Sequence, residues 1–256
     1  AARPIDVLFC GNIRFFGNPK RYSIAPPFFD ALIAEGAFTN EESILDIANR
    51  LLAPHPALAT ALTENKAQYF EDLWMAMHVI RTNRRLELLR QLQRVGASKK
   101  VMVISDCQRH GVQMNNVTMV PPKPWPVIQH FFENAKIIVH NIPMHTRALH
   151  ERLMHTAISG AVIMTDANNF FRDIFTHNKD ALFYSLQGKN LHEIAEKGLQ
   201  NEAALEEIAA NGRSLVLSRC RLHEFVTNLL KYMKLPAYDF NNHACDVYSS
   251  KAVQHT

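Results

Sequence analysis

Lys136–Asp166 reads KIIVHNIPMHTRALHERLMHTAISGAVIMTD, and this stretch decides the fold. Two short apolar runs, Ile137–Val139 and Ala161–Thr165, have the unbroken character of strands buried on both faces. Between them the spacing predicts a helix from about Thr146 to Ser159, closed by Gly160. The first run breaks at the polar pair His140-Asn141, where a buried strand would meet the start of a helix. This is a strand–loop–helix–strand unit with its polar groups gathered at one end. In open α/β sheets ligands bind beyond the carboxyl ends of the strands, and helix N-termini there attract phosphate. A small-molecule site is therefore expected at this end.

Working outward, Ile5–Cys10 (IDVLFC) is a second run suited to a central parallel strand, and Gly11 permits a sharp turn after it. A basic loop follows with Arg14, Lys20 and Arg21. It is neither G-x-G-x-x-G nor a P-loop. Pro26–Ala37 reads as a helix. From Asn40 to Val95 the chain is helical in character. Asn40 is expected to cap a helix over Glu41–Leu52, ended by Pro54 and Pro56. A long helix near Glu64–Thr82 is expected to bury Phe70, Leu73, Trp74, Met77 and Ile80. The arginines at 81, 84, 85, 90 and 94 read as the solvated side of an amphipathic segment. A nucleic-acid face is the sharper alternative.

After Gly96 the pattern alternates. Strands are expected at Val101–Ser105, Asn116–Val120 and Ala181–Ser185, and short helices at Val127–Asn134 and Asn168–Phe175. Further helices are expected over Asn190–Lys197, Asn201–Ser218 and Arg219–Lys234, with Asn190 and Asn201 as caps. Strands alternating with helices imply an α/β fold, a mostly parallel sheet with helices on both faces and a helical insertion near residues 40–95. The whole of 1–256 reads as a single domain.

Composition narrows the function classes. The chain has 256 residues, 47% hydrophobic and 20% charged, with a formal net charge of +4. That is ordinary for a globular protein and too mildly basic to imply nucleic acid. Four cysteines, at 10, 107, 220 and 245, lie far apart without C-x-x-C spacing, which suits reduced thiols in a cytosol. The thirteen histidines include no H-E-x-x-H. No apolar run approaches the roughly 20 residues that span a bilayer. The chain is expected to be cytoplasmic, at most peripheral to the inner membrane.

Candidate site residues are those at strand ends: Gly11, Asn12 and Arg14; Ser105, Asp106 and His110; His140, Asn141 and His145; Asp166, Asn168 and Asn169. The intervening helix offers Arg147, Glu151, Arg152 and His155. An arginine aimed into a cleft suits a diphosphate, because its planar fork matches phosphate oxygens. No G-x-S-x-G accompanies Asp106 and His110, which argues against a hydrolase relay.

The block from Arg152 through His155 and Gly160 to Asp166 resembles the R-x-F-E-x-x-A-x-G-x-x-x-x-x-D block of bacterial glycosyltransferases of the spore-maturation CgeB-like type. These are relatives of the group-1 enzymes with the two-Rossmann GT-B fold. VHN at Val139–Asn141, EEIAANGRSLVLSR at Glu206–Arg219 and DVLFCGN at the start are similar to further family segments. The resemblance implies half of a GT-B fold. It implies a domain that binds a UDP-, GDP- or dTDP-sugar, with the diphosphate at the N-terminus of the 146–159 helix. It also implies hexosyl transfer without a metal or other cofactor. The acceptor, a glycan, lipid or protein, would be held by an N-terminal Rossmann domain expected to be absent from this chain. In the catalytic set it puts Arg152, His155 and His140. Gly11, Asn12, Arg14, Asn141, Arg147, Glu151 and Asp166 belong to the donor-binding set. His155 and Arg147 stand where the family carries glutamates, and a neutral histidine accepts one hydrogen bond where a carboxylate accepts several. That substitution favours a second class, a nucleotide-binding or assembly module without catalysis.

Overall fold

The computed structural model describes residues 3–12, 24–37, 41–141, 150–166, 168–185 and 189–219. Arg14, Lys20, Arg21, Asn40, His145 and Arg147, and the helix expected beyond Arg219, lie outside them. The chain divides into two compact units, Ala1–Leu215 and Val216–Thr256, and the first carries the sheet.

Strands β1 (Ile5–Cys10), β2 (Val101–Ile104), β3 (Thr118–Val120), β4 (Ala135–His140), β5 (Val162–Asp166) and β6 (Leu182–Tyr184) form one parallel sheet in the order β3-β2-β1-β4-β5-β6. Because successive side chains point to opposite faces, each central strand feeds two cores. Val7 and Phe9 of β1 share one core with Ile137 and Val139 of β4 and with Val162 and Met164 of β5. Leu8 and Ile138 turn to the other face, against Phe132.

Helices cover both faces. On the first lie α4 (Lys66–Gly96), through Leu88, Leu89, Leu92 and Val95, and α8 (Leu191–Gln200) and α9 (Glu202–Arg219), through Ala195, Leu205 and Ile208. On the second lies α5 (Trp125–Glu133), through Phe132. Fully burying a leucine contributes about 1.5–3 kcal/mol, so these contacts fix α4 and α5 to the sheet. The short α6 (Glu151–Ile158) joins β4 to β5, and α7 (Asn169–Ile174) follows β5. Gly160, at φ 75, takes the left-handed position that lets α6 turn into β5 through three residues.

The helical insertion begins earlier than the sequence implies. α1 (Pro26–Gly36), α2 (Ile44–Leu52), α3 (Pro56–Glu64) and the first half of α4 enclose a core of their own around Phe28, Phe29, Leu32, Ile47, Leu62 and Leu73. The cap of α2 is Ser43 rather than Asn40. Ser43 Oγ accepts from the Asp46 amide at 3.2 Å and the Asp46 carboxylate accepts from the Ser43 amide at 3.1 Å, a capping box. Pro56 opens α3 instead of only ending what precedes it, since a first-turn proline loses no hydrogen bond.

The expected helix near Glu64–Thr82 and the arginine-bearing segment after it are one helix of 31 residues. Within it Leu73 and Ile80 are buried, but Phe70 and Trp74 are about half exposed. Arg84 and Arg85 are only 4% and 3% exposed, so they do not belong to a solvated face.

Candidate functional site

The chain leaves β1 to build β2 and β3 on one side, then returns to place β4 on the other. The carboxyl ends of β1 and β4 thus flank the point where strand order reverses, the ligand position of doubly wound sheets. Gly11 lies in this crevice and donates its amide to Ile104 O at 3.0 Å. A Cβ there would stand 2.9 Å from the Phe9 ring and 3.5 Å from Arg152 Nη1, which excludes any larger residue without repacking.

Arg152 crosses from α6 to β1, and its Nη1 donates to Cys10 O at 2.5 Å. Burial lowers its pKa, opposed by Cys10 and Glu151. The helix it rides on is capped by His150, whose Nδ1 accepts from the Arg152 amide at 3.2 Å. Glu151, beside it, is exposed on the first turn.

One turn further on, Thr156 Oγ1 donates its single proton to Arg152 O at 2.7 Å. Its contact with His140 Nε2, at 2.8 Å, must then be donated by the histidine. That places a proton on His140 Nε2. Burial holds its pKa well below the usual histidine range, and the neighbouring Arg152 and His150 add to the effect. Tyr184 OH donates to His140 O at 2.6 Å, so strand end, helix and β6 are tied together.

Asn141 Nδ2 donates to the Asp166 carboxylate at 2.8 Å, bridging the ends of β4 and β5. Asn141 is 3% exposed, and its Oδ1 has no partner among the described residues. Asn168 caps α7 by accepting from the Phe171 amide at 3.0 Å. Asn190, expected as a cap, accepts from the Ser185 amide at 2.8 Å, whereas Asn201 does cap, accepting from Ala204 at 3.1 Å.

Of the residues nominated from sequence, the structure therefore gathers Gly11, Asn12, Asp106, His140, Asn141, Arg152 and Asp166 at the strand ends. His155 is exposed, and its ring lies 4.5 Å from that of Trp125, at the start of α5. Sequence reasoning missed the pair Arg84 and Arg85. Arg84 donates from Nη2 to Gly36 O at 2.5 Å and from Nε to Ala37 O at 3.1 Å, while Arg85 Nη1 donates to Asn12 O. The available signal was length: the eleven steps from Arg85 to Gly96 cover about 17 Å, about the length of a strand. A helix anchored to the sheet by Leu88–Val95 must therefore carry Arg85 to the level of the strand ends.

This is a doubly wound α/β domain with cationic side chains at its switch point. Residues 81–231 match the model of the glycosyl transferase-like family. The match covers more than half of the chain, which therefore belongs to that family. No curated protein sequence matches it. Two solved structures are similar in outline. One is a point variant of S. aureus TarM in complex with fondaparinux, alpha-GlcNAc-glycerol and UDP, at 12% identity and a TM-score of 0.47, over 58% of this chain and 32% of that one. The other is TarM, at 15% identity and 0.45, over 56% and 31%. The chain thus spans about a third of the length of each.

Proposed function

We propose that this chain is the nucleotide-sugar-binding half of a metal-independent glycosyltransferase of the GT-B type. The observation that carries the reading is the half-buried Arg152 guanidinium at the switch point of the sheet, in a chain of the glycosyl transferase-like family. A cation already partly desolvated and oriented stabilises a departing nucleoside diphosphate without reorganising during the reaction. The α6 N-terminus adds a partial positive charge. His140 contributes as a neutral positioning group. By holding Thr156, which holds the Arg152 carbonyl, it fixes the turn of helix from which the arginine reaches. Asn141 and Asp166 supply hydrogen-bonding capacity for donor hydroxyls, and Gly11 leaves room for the diphosphate. Arg14, Arg147, Asn12 and Glu151 complete the donor-binding set proposed from sequence. The acceptor half is expected from a second α/β domain. No helix of the described residues is long and apolar enough to cross a membrane.

Titration calorimetry with UDP-, GDP- and dTDP-sugars tests the reading. At least one donor is expected to bind saturably, with Arg152→Ala weakening it by about 10- to 100-fold, or about 1.4–2.8 kcal/mol. If no donor binds and the variant is indistinguishable from the parent, the reading fails. A second reading, a nucleotide-binding module without catalysis, is favoured by one observation. His155, standing where the family glutamate would, packs on Trp125. It predicts that the chain joined to its acceptor domain binds a donor yet never releases the nucleotide by transfer.

A further inference from the structure

We propose that Arg85, supplied by α4 from outside the strand–helix–strand unit, is a second phosphate-binding cation of the donor site, paired with Arg152 across the β1 turn. The inference rests on the donor-binding reading above and goes beyond it by bringing the helical insertion into the site.

The two guanidinium groups reach the same few atoms of backbone from different helices. Arg152 donates to Cys10 O from α6, and Arg85 to Asn12 O from α4. They therefore bracket Gly11, where a Cβ would press on the Phe9 ring and come within 3.5 Å of Arg152 Nη1. Arg85 is 3% exposed, yet its Nε has no hydrogen-bond partner among the described residues. A buried cation with an unfilled N–H is costly unless something occupies it. Nε lies on the edge of the guanidinium that takes phosphate in a bidentate way, and Nη1 is already committed to Asn12 O.

The local charge balance points the same way. Among the described residues, Arg85 lies within electrostatic reach of Arg81 and Arg152, and of two aspartates, Asp106 and Asp166. Burial, and then those two arginines, push its pKa down to about 9, which leaves it charged at neutral pH and short of an anion. On the far side of the crevice Asn141 Oδ1 is an equally buried acceptor with no donor. A ligand with phosphate oxygens and with hydroxyl or N–H groups satisfies both. A nucleoside diphosphate joined to a sugar has both, and its two phosphoryl groups match two arginines held by carbonyls two residues apart.

The experiment uses the 256-residue chain and two variants. Arg85→Met removes charge and donors at nearly constant volume, and Arg85→Lys keeps the charge but loses the fork. Each is titrated with UDP, GDP, dTDP and inorganic pyrophosphate, and melted without ligand. We expect Arg85→Met to weaken nucleoside diphosphate and pyrophosphate at least tenfold while melting no lower than the parent. Arg85→Lys should fall between them. Unchanged affinity in Arg85→Met makes Arg85 a structural residue and leaves the donor reading intact. If Arg85→Met fails to fold, the lysine variant decides. Weakened pyrophosphate binding at an unchanged melting temperature supports the inference, and parental affinity overturns it. A parent chain that binds none of the four ligands overturns the donor reading and this inference together.

Discussion

A threonine hydroxyl has one proton, and Thr156 spends it on the Arg152 carbonyl. From that single fact follow the proton on His140 Nε2 and the fixed geometry of the first turn of α6, and burial of the ring keeps it neutral. Thr156→Val leaves the buried His140 N–H without an acceptor. It should cost about 1–3 kcal/mol in denaturant unfolding and weaken donor binding through Arg152. The pH dependence follows with a definite sign. Because burial depresses the His140 pKa in the folded chain, the unfolded chain binds more protons below the ordinary histidine value. Its contribution is complete above about pH 6.5 and is lost as pH falls below that, by up to about 1.4 kcal/mol per unit, until the depressed folded value is reached. His140→Gln removes this titration, so the stability gap between parent and variant should narrow from pH 7 to pH 5. A gap that stays constant means the ring is not held neutral. His140 and Asn141 were legible in the sequence as polar residues ending an apolar run. The role of His140 was not, because it depends on Thr156, sixteen residues away and buried only by the packing of α6 on the sheet.

At the scale of elements, α4 carries most of what the sequence concealed. Charged residues at helical spacing ordinarily mark a solvated face, and Arg90 obeys the rule, at 70% side-chain exposure. Arg84 and Arg85 break it because a helix about 46 Å long overshoots the sheet and enters the space between the strand ends and the carbonyls of α1. The lower end of the same helix is set by Gly96. A Cβ there would lie 2.1 Å from Asn116 O, a backbone atom. Gly96→Ala should therefore destabilise the chain by about 1–3 kcal/mol despite its better helix propensity, read as a lower denaturant midpoint at unchanged slope. Ser43→Ala, which removes the capping box of α2, should cost about 1 kcal/mol. That cap was readable as Ser-x-x-Asp, but nearby Asn40 offered an equally good local signal, and only the observed start of α2 at Ile44 chooses between them. Proline gave the same ambiguity: Pro56 is a stop signal for the preceding helix and a start signal for α3.

For the molecule as a whole, the parallel sheet was legible because its central strands are buried on both faces and so read as unbroken apolar runs. Every strand expected from sequence is present within a few residues of its place. Strand order was not legible in any run, since it is set by which crossovers pack where, and it is the order that creates the switch point. If the crevice between β1 and β4 is the donor site, ligand adds to global stability. At a free concentration one hundred times its Kd, a donor should stabilise the folded chain by about 2.7 kcal/mol, visible as a rise in melting temperature that Arg152→Ala reduces to the equivalent of about 0.4–1.4 kcal/mol at the same concentration. The most direct test of the central claim is a crystal structure of the chain with a nucleoside diphosphate bound. Diphosphate density is expected over Gly11, between Arg152 and Arg85 and beside the first turn of α6. Nucleotide bound instead at the amino ends of the strands, in the cleft lined by Lys99, Lys100 and Asn134, would contradict it.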